Sequence, residues 1–144
     1  TLAAPGKDLI FLPAEPGHLR FQEDLGADAM PVPMHRHLRQ TERFKALDGR
    51  LRLTVAGREV LLQPGESAEV LPGVPHTYAP GEHRPVLIEV ELWPVQDGGR
   101  FFETIYGLTR EARLPPRGLG DVLALAAFCH SQAFYLAALP LVLQ

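Results

Sequence analysis

The sequence predicts an all-β core followed by a helical appendage, and three observations predict it. Proline and glycine number 14 and 13 among 144 residues and punctuate the first two-thirds at short intervals. That spacing disfavours long helices and favours short strands joined by tight turns. Between these breaks apolar and polar residues alternate with period two, as in Leu51-Arg52-Leu53-Thr54-Val55, the pattern of a strand with one face buried. After about residue 98 the texture changes to long apolar runs with helical spacing.

In chain order, strands are expected over residues 18–22, 32–38, 42–47, 51–55, 60–62, 67–71, 76–78 and 85–93. Ala56-Gly57-Arg58 has the chemistry of a hairpin turn, and Gln63-Pro64-Gly65-Glu66 that of a second tight turn. Short strands at regular spacing suggest a sandwich or barrel. Further on, Phe101, Phe102, Ile105, Tyr106 and Leu108 fit one face of a helix over 100–113. Pro115-Pro116 breaks it, Asp121 caps a second helix from 122 to about 139, and Pro140 ends that one. The expected organisation is a β domain over 1–98 and a helical extension over 99–144, packed on the β domain or on a dimer partner.

Composition narrows the function classes. Apolar residues make up 46% and charged residues 22%, ordinary for a globular domain and far from a disordered tail. A formal charge of −3 and an isoelectric point near 6.0 argue against nucleic acid, which needs clustered Lys and Arg. Cys129 is the only cysteine, so an intramolecular disulfide and a cysteine-based zinc cluster are both excluded; a reducing, cytoplasmic setting is expected. The apolar run near the C-terminus is interrupted by His130-Ser131-Gln132 and Pro140. It therefore reads as a covering helix or a subunit interface, with peripheral membrane contact as the lesser alternative. The chain starts on Thr1 and stops on Leu141-Val142-Leu143-Gln144, so further residues are expected at either end.

The chemistry lies in Met34-His35-Arg36-His37 and the residues after it. Two histidines at i and i+2 on a strand share a face, so both imidazoles can converge on one interior point. Glu42 follows His37 after four residues, far enough to cross a turn and return a carboxylate to that point. Gly49 then permits a sharp turn, and Leu71-Pro72-Gly73-Val74-Pro75-His76 brings a third histidine on a later strand. Tyr78, two residues beyond His76, shares its face and is a candidate proton donor; the competing reading is a wall residue engaged in a hydrogen bond. Arg36 should point away from the cavity, and Phe44 and Leu47 should be core or pocket wall. His18 and His83 should be solvated in loops, and His130 buried and hydrogen-bonded.

On these residues the sequence resembles the cupin superfamily, in particular its small single-domain members. His35, His37, Glu42 and Gly49 fall on the first cupin motif, G(x)5HxH(x)3–4E(x)6G, with Ala29 at its leading glycine. Gly65, Gly73 and His76 fall on the second, G(x)5PxG(x)2H(x)3N, with Leu71 at its proline and Pro80 at its asparagine. The resemblance covers about residues 18 to 95 and implies a conical antiparallel jelly-roll β-barrel. It also implies one divalent transition metal per chain (Fe, Mn, Ni, Cu or Zn) held by His35, His37, Glu42 and His76. Three imidazoles and one carboxylate suit any of these ions and leave two positions of an octahedron open. The expected function is a metal-dependent enzyme acting on a small organic molecule, by dioxygenase-like or by isomerase- or lyase-like chemistry. The alternative is a non-catalytic sensor that binds a small ligand or the metal. A homodimer is expected, because exposed sheet faces and an apolar tail bury surface by pairing.

Overall fold

The computed structural model describes residues 2–4, 7–29, 31–95 and 134–136. They form eleven strands: β1 Leu2–Ala4, β2 Lys7–Leu12, β3 Leu19–Leu25, β4 His35–His37, β5 Thr41–Asp48, β6 Leu51–Val55, β7 Arg58–Leu62, β8 Ser67–Val70, β9 His76–Pro80, β10 Val86–Trp93 and β11 Phe134–Leu136. A single 3-10 turn, Gly81–His83, is the one helical element among the described residues. No helix there is long and apolar enough to cross a membrane.

The strands make two sheets, and among the described residues every pairing is antiparallel. One has the order β1-β2-β3-β10-β5-β8 and the other β11-β4-β9-β6-β7. The period-two pattern decides which side chains meet between them. In β10, Val86, Ile88, Val90 and Leu92 are buried while Leu87, Glu89, Glu91 and Trp93 face outward. Register extends this phase to its neighbours: Val90 stands opposite Phe21 and Phe44, and Ile88 opposite Glu23 and Ala46. Inward side chains therefore fall into layers. Glu42, Leu92 and Val70 form one, Phe44, Val90 and Phe21 the next, and Ala46, Ile88, Glu23 and Leu9 the one after. On the facing sheet, Val55 and His76, then Leu53 and Tyr78, then Leu51 and Pro80 run in parallel order. Burying Phe21, Phe44, Leu51, Leu53, Ile88 and Val90 completely contributes roughly 1.5–3 kcal/mol per large apolar side chain.

The turns follow their sequence chemistry. Ala56 and Gly57 both have positive φ, 48° and 78°, as a two-residue hairpin loop of type I′ requires, and Val55 pairs with Arg58 across it. In the second turn Pro64 is followed by Gly65 at φ 90°, and Glu66 N–H donates to the Gln63 carbonyl at 2.9 Å. Gly49 has φ 73°, and a Cβ there would lie 2.4 Å from the Pro85 carbonyl oxygen; only glycine allows that approach.

Several expectations need correction. The helix expected over 122 to about 139 does not hold at Phe134–Leu136, which is a strand paired with β4. β4 has only three residues and pairs with β9 through a single register, His35 with His76, so its other edge needs a partner. Phe134 and Tyr135 are favourable strand residues, and pairing outweighs the helical preference of the alanines around them. The rest of the expected helical extension, with Cys129 and His130, lies outside the described residues. β1 and β2 were not expected. In β2 the apolar run Leu9-Ile10-Phe11-Leu12 hides the alternation, because Ile10 faces outward and is 48% exposed. Leu47 is half-buried, out of phase with the inward Phe44 and Ala46. His18 is not simply solvated: its Nδ1 lies 2.8 Å from Glu91 Oε1 and its ring stacks on Trp93 at 5.7 Å. Glu91 also accepts from Arg43, and Arg20 donates twice to Glu89 at 3.0 and 3.1 Å, so the outer face of this sheet is laced with ion pairs.

Candidate metal centre

Four of the five sequence-picked site residues converge. His35 and His37 project from β4, His76 from β9 and Glu42 from β5, and all four are buried. One ligating atom from each lies within 4.8 Å of the others. Strand geometry explains the convergence. His35 and His37 are i and i+2, so they share the inward face. Register sets His76 directly across from His35, and Glu42 enters from the facing sheet. The loop before His76 is tied to β4, since Gly73 N–H donates to the His37 carbonyl at 2.7 Å. Gly73 has φ 82°, so the substitution of Leu71 for the motif proline leaves this turn intact.

The imidazoles are oriented by their outer nitrogens. His35 Nδ1 donates to the Pro33 carbonyl at 2.8 Å, and His76 Nδ1 to the Val74 carbonyl at 3.0 Å. A carbonyl only accepts, so each Nδ1 carries the hydrogen and Nε2 is the atom turned toward the centre. Glu42 Oε2 lies 2.7 Å from His76 Nε2 and 3.2 Å from His37 Nε2. Electrostatics agree with this pairing. Burial alone would raise the Glu42 carboxyl, but the charges and hydrogen bonds of His37 and His76 outweigh it and hold it well below the usual carboxylate range. Burial would likewise lower His76, yet the hydrogen bond and charge of Glu42, with the Val74 carbonyl, push it up. At His35 the balance goes the other way: burial, then the neighbouring His76 and His37, outweigh Glu42 and the Pro33 carbonyl and bring it down to about 3.

The residues fit a metal ion. Ligands about 2.0–2.2 Å from a first-row ion stand roughly 3 Å apart at neighbouring positions and about 4.2 Å apart when opposite, so a cluster within 4.8 Å needs little contraction. Each outer nitrogen that is held by a carbonyl leaves a lone pair pointing inward once the ring is neutral. An ion bound here would link the two sheets, because three imidazoles come from one and the carboxylate from the other.

Tyr78 shares the interior but not the cluster. Its hydroxyl donates to Glu23 Oε2 at 2.8 Å, and its ring packs 5.0 Å from Phe44, itself 6.0 Å from His76. Phe44 is thus a wall residue, as expected. Arg36 is half-buried between the two ligand histidines in sequence and opposite Tyr135 in register, while His83 is exposed in the 3-10 turn. Sequence reasoning missed Glu23, a fully interior carboxylate, and Lys7, whose Nζ lies 5.9 Å from the centre of the Tyr78 ring. The signal for Glu23 was present: in Leu19-Arg20-Phe21-Gln22-Glu23-Asp24-Leu25 it takes the phase of Phe21 and Leu25.

Comparison with known proteins places this geometry. The family model for the cupin domain matches residues 22–93, which hold all four clustered residues. Among curated proteins, quercetin 2,3-dioxygenase of Bacillus subtilis strain 168 is 39% identical over 67 residues, 46% of this chain and 20% of that one. The chain thus spans about a fifth of the length of that relative. Among solved structures, KdgF from a Halomonas species superposes with a TM-score of 0.60 at 17% identity, covering 66% of this chain and 84% of its own. An RmlC-like cupin from Shewanella frigidimarina gives 0.58 at 18% identity, covering 65% and 81%; at such identities the likeness is one of fold. With His35, His37, Glu42 and His76 buried together between two antiparallel sheets and half the chain matched by the family model, this protein belongs to the cupin family.

Proposed function

We propose that this protein is a metal-dependent cupin enzyme acting on a small organic molecule, with the two sheets closing into the jelly-roll barrel of the family. One divalent transition ion per chain would be held by His35 Nε2, His37 Nε2, Glu42 and His76 Nε2. The observation that carries the reading is the cluster of three imidazoles and one carboxylate, all buried, within 4.8 Å. When bound, the ion supplies two open positions for a chelating substrate and either oxygen activation or Lewis-acid polarisation. The dioxygenase-like branch is favoured by the local likeness to quercetin 2,3-dioxygenase, 39% identical over 67 residues.

The chain's own residues prepare the site. Pro33 and Val74 carbonyls fix two rings, so the nitrogens need no reorientation on binding. Glu42 holds the proton of His76 at Nε2 and must release it as an ion enters. Phe44, Leu92 and Val70 form the apolar wall beside the ligands and exclude water. Tyr78 serves as wall residue with its hydroxyl on Glu23; proton delivery from it would require exchanging that partner.

The test is elemental analysis of freshly purified protein and of protein reconstituted with Fe2+, Mn2+, Ni2+, Cu2+ and Zn2+, followed by oxygen-uptake and isomerisation assays on flavonols, catechols and keto sugars. About one transition ion per chain, lost in His35→Ala and His37→Ala, supports the centre. No ion after reconstitution overturns it, and binding without turnover of any substrate favours a sensor over an enzyme.

A further inference from the structure

Glu23 and Tyr78, with the half-buried Lys7 beside them, form a second interior polar group that the proposed reaction does not use. Glu23 and Tyr78 are 3% and 6% exposed, and their hydrogen bond of 2.8 Å joins β3 of the six-stranded sheet to β9 of the other. The metal centre is built in the same way. Its carboxylate, Glu42, comes from the six-stranded sheet and its imidazoles come from the facing one. The distance between sheets therefore decides whether the four ligands meet. β9 carries both His76 and, two residues on, Tyr78, while β5 carries Glu42 and, two residues on, Phe44, whose ring packs against Tyr78. The ligand layer and the Tyr78 layer are thus adjacent on the same two strands.

A buried carboxylate in an apolar layer is costly unless it is paired. Apolar residues of similar size would fill the space between Phe21, Leu9 and Ile88 more cheaply, so packing alone does not account for Glu23. Lys7 offsets its charge: burial lowers the Lys7 ammonium, and the Glu23 carboxylate acts in the opposite direction. What the pair adds over an apolar contact is direction, since a hydrogen bond fixes the position of Tyr78 across the interior to within a few tenths of an ångström.

We propose that the Tyr78–Glu23 hydrogen bond is a positioning brace for the metal centre, holding β9 and hence His76 at the sheet separation where Glu42 and the three histidines meet. The proposal rests on the metal reading above. Neither residue is a ligand; both act through His76 and Glu42.

The experiment titrates Co2+ into wild-type protein, Tyr78→Phe, Glu23→Leu and Glu23→Gln, reading affinity and the cobalt visible absorption bands, with urea unfolding of the metal-free forms alongside. Tyr78→Phe should weaken Co2+ binding about tenfold, within the range seen when groups behind metal ligands are removed, and shift the absorption bands. Glu23→Leu should reproduce the loss from the opposite sheet, so the reading survives if one variant folds poorly. Glu23→Gln keeps an acceptor for the phenol and should restore binding to within about threefold of wild type. Leu62→Ala, a core change on β7 away from both polar groups, should lower stability by about thirtyfold in the unfolding constant and leave the cobalt spectrum unchanged. Wild-type affinity and spectrum in both Tyr78→Phe and Glu23→Leu would overturn the brace while leaving the metal centre standing. A wild-type protein that binds no Co2+ would instead remove the centre, and the brace with it.

Discussion

Replacing Glu42 by Gln tests the centre most directly. The substitution keeps the shape of the side chain and removes its charge. Glu42 is the only anion among the four proposed ligands and the only one of them from its sheet. Four-ligand zinc sites bind with roughly 10–16 kcal/mol at neutral pH, so an equal share is about 2.5–4 kcal/mol for each ligand. That is about 100- to 1000-fold in affinity. An amide ligates more weakly than a carboxylate, and no other group from the six-stranded sheet stands in for it, so the loss should fall in this range. The metal-free protein should suffer less. Without the carboxylate only the Val74 carbonyl still opposes the effect of burial on His76; the ring becomes neutral, and no buried charge is left unpaired. The remaining loss is about one hydrogen bond, ~1 kcal/mol. Competition of Zn2+ between protein and a chelator measures the first quantity, and urea unfolding of the metal-free protein the second. Zinc affinity within threefold of wild type would refute the assignment of Glu42 as a ligand.

Gly49→Ala should cost about 3 kcal/mol, because alanine would adopt φ 73° and its Cβ would lie 2.4 Å from the Pro85 carbonyl oxygen; thermal unfolding within 2 °C of wild type would contradict this. Metal affinity should rise with pH as His76 gives up its proton, since its raised value means an entering ion competes with that proton; calorimetry at pH 6 and 8 in matched buffers checks it, and equal affinities would refute it. Stability of the metal-free protein should fall on both sides of neutrality. His35, lowered to about 3, withdraws its contribution as pH drops below 6.5, and Glu42, also lowered, does so below 4.5. His76, raised, withdraws its contribution as pH climbs above 6.5; urea midpoints at pH 4, 6.5 and 9 should peak at the middle value. Light scattering should show twice the 15.9 kDa chain mass, and a monomer at micromolar concentration would refute the expected dimer.

The legible parts of the fold were those in which burial follows a simple period. Val86–Trp93 was expected as a strand, and its burial alternates along the whole length. The buried cluster was legible for the same reason: His35 and His37 share a phase, and the spacings to Glu42, Gly49 and His76 belong to a known motif. Legibility failed where tertiary pairing outweighed local preference. Phe134–Leu136 sits among alanines, and only the open edge of a three-residue strand makes it extended. It failed again at Lys7–Leu12, where apolar residues occupy both faces. Glu23 was overlooked although its phase was readable, because a carboxylate on an inward position is normally rejected unless a partner is in view. That partner, Tyr78, is 55 residues away in sequence.

The strict alternation along β5 has a consequence for how this chain can change. Glu42, Phe44 and Ala46 face the interior, while Arg43 and Lys45 face water. Substitutions at Arg43 or Lys45 therefore leave the inward set untouched, and a label could be carried at Lys45 one residue from the wall of the site. Loss of a single residue between Glu42 and Phe44 would do the opposite, turning every later side chain of the strand to the wrong face. Insertions and deletions in this family member should accordingly be confined to its connections, such as the Ala56–Gly57 hairpin, while the strands that carry ligands vary in identity on one face and never in length.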